Sequence, residues 1–510
     1  MTVSSQSPAS IRNLAAVDLG SNSFRMVIAR VVGGQLQLVD RLREGVRLAA
    51  SLDKDQRLTE EGQERALACL RKFGQRLREF PPGSVRAVGT NTLRKARNRD
   101  KFLRRASLAL SHPIEVVSGQ EEARLIYLGV SHSLPSLDGR RLVVDIGGGS
   151  TECIIGDAFD TLLTESLYMG CVSYSLAHFP DGRLKAKYMR RAETAARLEL
   201  QALRKTYRKL GWTGCAGASG TIHAVHTILR DNGWSHQGIT FDGLEKLRQA
   251  ILENDHVDQL SIPGLRRDRA KVLPGGLAIL IAVFETLEIE RMNVSQGAMR
   301  EGLLYDLLGR IRQEDVRNRT IRRFVDQYRV DVAQAARVEK TALNLLEQAL
   351  KGWSLERESA RLFLIWASSL HEVGLAVAHG GFQKHGGYLI ANSDMPGFSL
   401  QDQHMLSLLV RSHRRKWPLD LFKELPKPLR STAARLCVLL RLAVLLNRGR
   451  SSKPLPPIRL EAEKKKIYLK FPENWLAKHP LSLADLEQES QRLRAAGFHL
   501  RCDDLSTGSG

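Results

Sequence analysis

No stretch of this sequence approaches the ~20 uninterrupted apolar residues needed to cross a bilayer as a helix, so a helical membrane protein is not expected. Cysteine is scarce. The six present, Cys69, Cys153, Cys171, Cys215, Cys437 and Cys502, include no C-x-x-C pair, and most sit inside apolar runs. That distribution argues against a zinc site and a disulfide framework, and it suits buried thiols in a reducing, cytoplasmic compartment. Aromatic residues make up 6% of the chain and nowhere interleave with basic ones as a base-stacking platform would. Without such a platform or zinc-finger spacing, nucleic acid is not expected as the main partner. The first residues, Met1 to Arg12, lack the basic start and apolar core of a secretory signal and read as a loose tail.

Acid is also in short supply. Asp and Glu total 55 against 77 Lys and Arg, a formal charge of +22. Such a surplus points to a polyanionic partner: nucleic acid, an acidic membrane surface or a small-molecule polyphosphate. The excess lies in patches. Arg94-Lys95-Ala96-Arg97 with Arg99, Lys101, Arg104 and Arg105 is one, Arg411 to Lys416 another, and Lys464-Lys465-Lys466 a third. Any one run is more often a solvated face than a binding site, so the argument rests on their number.

At 510 residues the length exceeds a single core and suggests roughly three to four domains. From Leu14 to about His132 strands alternate with helices, including a hairpin turning at Gly33-Gly34 and an amphipathic helix over 59–80 with Thr59 as N-cap. A second α/β unit runs from about Leu142 to Leu308 and repeats the opening plan, with a long helix over Ala186 to Leu210. After about Arg310 strand signals vanish, and helices are expected over Gln313 to Gly352 and Leu355 to Leu375 and on to about Leu446. Lys453-Pro454-Leu455-Pro456-Pro457 reads as a linker to a small α+β tail, with a disordered end from Ser506. The expected domains are therefore 1–132, 133–310, 311–450 and 451–510.

Two stretches far apart carry nearly the same message: Val17-Asp18-Leu19-Gly20-Ser21-Asn22-Ser23 and Val143-Val144-Asp145-Ile146-Gly147-Gly148-Gly149-Ser150-Thr151. Each is a buried-strand pattern ending in Asp, then Gly, then small polar residues. A carboxylate at a strand tip can hold a divalent cation, and a Gly-rich turn lets backbone N–H groups approach an anion. Taken singly, either loop reads more readily as an ordinary turn that closes a hairpin or a βα unit. As a pair they are what an actin-like ATPase or sugar-kinase fold requires. A third loop, Gly217-Ala218-Ser219-Gly220-Thr221, precedes a helical run and offers a helix N-terminus to an anion. Val117-Ser118-Gly119-Gln120-Glu121-Glu122 then places two acids at a helix start, where only one can aim squarely into a cleft. Acids there also simply complement the helix dipole. Beside two phosphate loops, one of them becomes a natural general base.

These motifs, with Gly89-Thr90-Asn91-Thr92-Leu93-Arg94 and Gly297-Ala298-Met299-Arg300-Glu301-Gly302, resemble the Ppx/GppA phosphatases, and within them the proteobacterial exopolyphosphatases. The likeness continues through His371-Glu372-Val373-Gly374 and Asn392 to Gly397 and covers almost the whole chain. It implies an α/β fold of duplicated actin-like (ASKHA, ribonuclease-H-like) domains, followed by an all-α HD-like domain and the small α+β domain. It further implies a cytoplasmic homodimer that removes terminal phosphate from inorganic polyphosphate with Mg²⁺, with K⁺ as a candidate stimulating ion and the inner membrane as a candidate peripheral contact. Under the resemblance Glu122 is the catalytic base, Asp145 and Glu152 are acids near metal and water, and Arg94 contacts phosphate. Ser21, Asn22, Gly148, Gly149 and Ser150 match the loop residues, and Ser219 and Gly220 complete the expected phosphate site.

The HD-like equivalent here is His371-Glu372, followed by His379, His385 and Asp394. Glu in place of Asp favours a retained scaffold over an active metal site. Arg411, His413, Arg414, Arg415 and Lys416 are expected to line a channel for the remote part of a long polyphosphate. The rival substrate is guanosine pentaphosphate, which the same catalytic residues would serve. A kinase is disfavoured because no acceptor-substrate constellation is visible.

Overall fold

The computed structural model describes residues 13–504 apart from 33–34, 136, 138 and 312–314. The expected turn at Gly33-Gly34, the N-terminal tail and the C-terminal end from Ser506 lie outside the described residues. The chain divides into two compact units, Met1–Asp315 and Val316–Gly510. No helix among the described residues is long and apolar enough to cross a membrane.

The first unit contains two sheets built to one plan. In the first, β1 (Asn13–Leu19), β2 (Phe24–Val32) and β3 (Gln35–Glu44) form an antiparallel meander, and β4 (Val85–Gly89) and β5 (Ile114–Val116) extend it in parallel, in the order β3-β2-β1-β4-β5. In the second, β6 (Arg140–Ile146), β7 (Thr151–Asp157) and β8 (Asp160–Leu167) form the meander. Then β9 (Gly214–Ala218), β10 (Ile239–Thr240) and β11 (Arg291–Val294) complete the order β10-β11-β9-β6-β7-β8, with β9 parallel to both β6 and β11. β1 and β6 are inner strands, which explains their nearly continuous apolar runs.

The repeat is exact in register. Asp18 pairs across the hairpin with Arg25, and Asp145 pairs with Glu152. The ladder slips between Ile28 and Ala29 in one sheet and between Ile155 and Gly156 in the other, which is the same place in each meander. Two helices are packed between the sheets, Gly119–Ser133 and Met299–Ile311. They touch so closely that a Cβ on Gly302 would stand 1.8 Å from the Leu125 carbonyl oxygen, and one on Gly129 would stand 1.9 Å from that of Ala298. Glycine is required at both positions. The second sheet is backed on its other face by a buried apolar helix, Leu273–Leu287, and by Ala186–Leu210.

The second unit is helical from Val316 to Leu446 and ends in a sheet of β12 (Arg459–Glu463), β13 (Lys466–Phe471) and β14 (His499–Asp504). One core serves both parts, because Ile467, Leu469, Phe471 and Leu500 join the cluster that holds Trp353, Trp366 and Leu439. The first long helix differs from expectation. It breaks into Val316–Gln327 and Val332–Trp353 at Arg329, which takes a left-handed φ of 48°.

Candidate active site

The glycine turns of the two meanders face each other. A Cβ on Gly148 would lie 3.2 Å from the Ser21 Cβ and 3.7 Å from that of Asn22. One on Gly149 would lie 2.9 Å from Asn91 Oδ1 and 3.5 Å from Ser21 Oγ. The first loop is steadied by Thr92, whose hydroxyl donates to Ser21 Oγ at 2.8 Å. The second is closed by the Gly147 N–H donating to the Ser150 carbonyl at 2.9 Å. Between them lies a cavity of about 110 Å³, lined also by Ser219, Gly220 and Thr221 at the start of the Ser219–Asp231 helix. Ser219 holds a φ of +91°, a conformation a serine rarely adopts, so this turn is strained where it meets the cavity.

Asp18, Glu122 and Asp145 all open into this cavity. Glu122 gets there from the first turn of the Gly119–Ser133 helix, whose N-cap Ser118 accepts from the Glu121 N–H at 3.1 Å. Its neighbour Glu121 turns away and pairs with Arg124 at 2.7 Å. Glu122 is bound by Arg94, Nη1 to Oε2 at 2.6 Å, and Arg94 also donates to the Val117 carbonyl. Burial opposes the Arg94 charge, but Glu122 outweighs it and raises the guanidinium pKa.

Burial pushes the Asp18 carboxyl up to about 6 and Asp145 up to about 7, and Glu122 adds to both. Glu152 is raised well above its ordinary value, by burial first and then by Glu122 and Asp145. Asp18 Oδ1 is buried with no hydrogen-bond partner. Facing these acids are Arg25, Arg269 and Arg300. Burial lowers the pKa of Arg25 and of Arg269, and neighbouring guanidiniums lower both further. The cavity thus combines acids short of a cation with guanidiniums short of an anion. Among the described residues no three His, Cys, Asp or Glu side chains close around one point. Magnesium does not need such a cage, since it is commonly held by one or two carboxylates together with substrate phosphates. Asp18 and Asp145, at matching strand tips, are the carboxylates that fit it.

The sequence model of the Ppx/GppA phosphatase family matches residues 27–311, and that of its domain III matches residues 316–490. The chain belongs to the Ppx/GppA phosphatase family. It is 40% identical over 96% of its length, and 98% of the other chain, to a protein of Aeromonas hydrophila named guanosine-5'-triphosphate,3'-diphosphate pyrophosphatase. The Aquifex aeolicus member of the family is similar in structure, with 27% identity, a TM-score of 0.50, and coverage of 59% of this chain and 98% of that one. So is a protein of Cytophaga hutchinsonii described as an exopolyphosphatase, with 25% identity, a TM-score of 0.53, and coverage of 58% and 97%. The actin-like fold is that of the family.

Against this family background, the structure brings together Ser21, Asn22, Glu122, Asp145, Gly148, Gly149, Ser150, Ser219 and Gly220 around one cavity. Arg94 and Glu152 stand one layer behind it. Arg94 reaches Glu122, and Glu152 pairs with Asp145 across the strands while accepting from the Ser166 hydroxyl at 2.9 Å. The basic run in the second unit is not brought to one surface. His413, Arg414 and Arg415 line one cavity, Arg411 lines a separate groove with Tyr388 and His404, and Lys416 lines neither. Burial also drives the His413 pKa well below its ordinary value, which disfavours a cationic role for it.

Sequence reasoning missed Arg25, Thr90, Arg269 and Arg300 as cavity residues. Arg300 lies inside the Gly297 to Gly302 motif, and Arg25 lies two residues past Ser23. The Arg266-Arg267-Asp268-Arg269 run is basic, but its charge alone carries no hint of direction.

Proposed function

We propose that this chain hydrolyses the terminal 5′-phosphate of guanosine 5′-triphosphate 3′-diphosphate, with inorganic polyphosphate as the second substrate reading. The observation that carries the order is the Aeromonas relative, similar across nearly both full lengths. This reverses the preference drawn from motifs alone, which cannot separate two substrates that share one terminal phosphate chemistry. The cavity supports the reading because it is small and ringed by arginines. A terminal phosphate would sit between the facing loops, whose backbone N–H groups meet its oxygens. Arg43 and Arg266 are electrostatic neighbours of Arg269 and both pair with Asp268, so further phosphates of the nucleotide would compete with that carboxylate for them.

In this reading Glu122 Oε2 accepts the proton of the attacking water, and the water oxygen forms the new P–O bond as the bridging oxygen leaves with its electron pair. Arg94 neutralises phosphate oxygens, and its transfer from Glu122 to the substrate frees the base. Magnesium, held by Asp18 and Asp145 with Glu152 behind them, would offset phosphate charge. A cytoplasmic homodimer is part of the same proposal.

The second reading has its own support in the +22 charge and in the Cytophaga relative's description. The test is phosphate release from guanosine pentaphosphate and from long-chain polyphosphate at matched terminal phosphate and salt. A higher kcat/KM for the nucleotide is expected. A higher value for polyphosphate reverses the order, and no release from either ends the hydrolase reading.

A further inference from the structure

The second unit contains a cavity of about 240 Å³, more than twice the 110 Å³ of the catalytic one, and no step above uses it. Its floor is made of His371, Glu372 and His413, all at least nine-tenths buried. His371 Nδ1 lies 2.7 Å from the Ser368 carbonyl oxygen, and His413 Nδ1 lies 2.6 Å from that of Val410. A carbonyl can only accept, so each Nδ1 carries the proton and each Nε2 presents a bare lone pair. Neither Nε2 has a hydrogen-bond partner, and neither does Glu372 Oε2, whose sister oxygen is held by Arg450. Three buried acceptors therefore share one floor and cannot satisfy one another. Each carries a desolvation cost that a donor would remove.

The rim has the opposite need. Arg414 lies over the Phe382 ring at 4.6 Å, and among the described residues no carboxylate pairs with Arg414 or Arg415. By contrast Arg441 is spent on Glu489, and Arg448 on Asp485. A ligand must therefore bring N–H donors to the floor and an anion to the rim. A polyphosphate chain alone brings only acceptors. A lone metal ion is disfavoured, since no three such side chains among the described residues converge on one point. The acceptors lie close together, with His371 Nε2 3.9 Å from Glu372 Oε1 and the two imidazole rings 5.5 Å apart, so they call for several donors on one short edge. Guanine supplies these on one edge, through N1–H and the exocyclic amine, while its phosphates reach for arginine.

We propose that this cavity is a guanine-nucleotide site, with His371, Glu372 and His413 receiving the base and Arg414 and Arg415 the phosphate. It goes beyond the hydrolytic reading and does not depend on it, because the readout is binding.

The test is calorimetric titration of the full chain with GDP, ADP and MnCl₂. GDP is expected to show a saturable site that Glu372→Gln weakens at least tenfold and that Arg25→Ala, in the catalytic cavity, leaves unchanged. Arg414→Ala, at the rim, should weaken the same site and serves if Glu372→Gln does not fold. The proposal fails if neither variant moves GDP affinity, if Arg25→Ala alone abolishes it, or if ADP binds as tightly as GDP. It also fails if Mn²⁺ alone binds and Glu372→Gln removes that binding, since the floor is then a metal site.

Discussion

Glu122 and Arg94 are paired at 2.6 Å, so in the free protein a guanidinium occupies the carboxylate oxygen proposed to take the proton. Substrate entry resolves this, because phosphate competes for the same guanidinium. Glu122→Gln keeps the shape but removes the proton acceptor, so kcat should fall by about 10²–10⁴ while KM changes little. Steady-state phosphate release checks this, and an unchanged kcat takes Glu122 out of the reaction. Asp18 and Asp145 give a second test. Their folded pKa values, about 6 and about 7, lie above the ordinary carboxylate range. Their stabilising contribution is thus fully present below about pH 4 and is lost as pH rises through 6 to 7. Metal-free protein should therefore gain Tm between pH 8 and pH 5.5 relative to an Asp18→Asn, Asp145→Asn double variant. Mg²⁺ should bind more tightly at pH 8, where no proton must be displaced. A metal affinity flat across that range would exclude these two carboxylates as its ligands.

At the scale of elements, Glu122 is aimed by ions buried beneath its helix. Asp306, on Met299–Ile311, binds Arg86 and Arg124, and Arg124 binds Glu121 beside the proposed base. These guanidiniums hold the Asp306 carboxyl far below its ordinary range, although burial alone would raise it. Asp306→Ala leaves buried cations unpaired and should cost about 3–5 kcal/mol in denaturant unfolding. A loss under about 1 kcal/mol would mean that water already reaches the network. The motifs pointed to the loops that line the cavity because the Asp18 and Asp145 turns come as a pair, where either alone reads as an ordinary turn. They also showed that one acid of Glu121-Glu122 would point inward. They did not show the break at Arg329, because an arginine in the left-handed region carries no glycine-like signature.

At the scale of the whole molecule, charge was legible in sum and hidden in arrangement. Arg25, Arg269 and Arg300 share one cavity although β2, the short helix Arg267–Ala270 and the start of Met299–Ile311 carry them separately. Only the fold assembles them. The Arg411–Lys416 run shows the reverse, a continuous patch that the chain, bending as it leaves the Leu400–Ser412 helix, scatters over two cavities and the outer surface. The surplus of +22 then acts on substrates in two ways. Charges beyond about 8 Å are screened at 0.15 M salt, so KM should rise with ionic strength while kcat stays level. A long polyphosphate that touches distant patches displaces more counterions than a nucleotide held at one cavity. Its log KM should therefore climb more steeply with log salt than that of guanosine pentaphosphate. Equal slopes would mean that both substrates meet the same few arginines, Arg25, Arg269 and Arg300 among them, and that the outer patches serve another purpose.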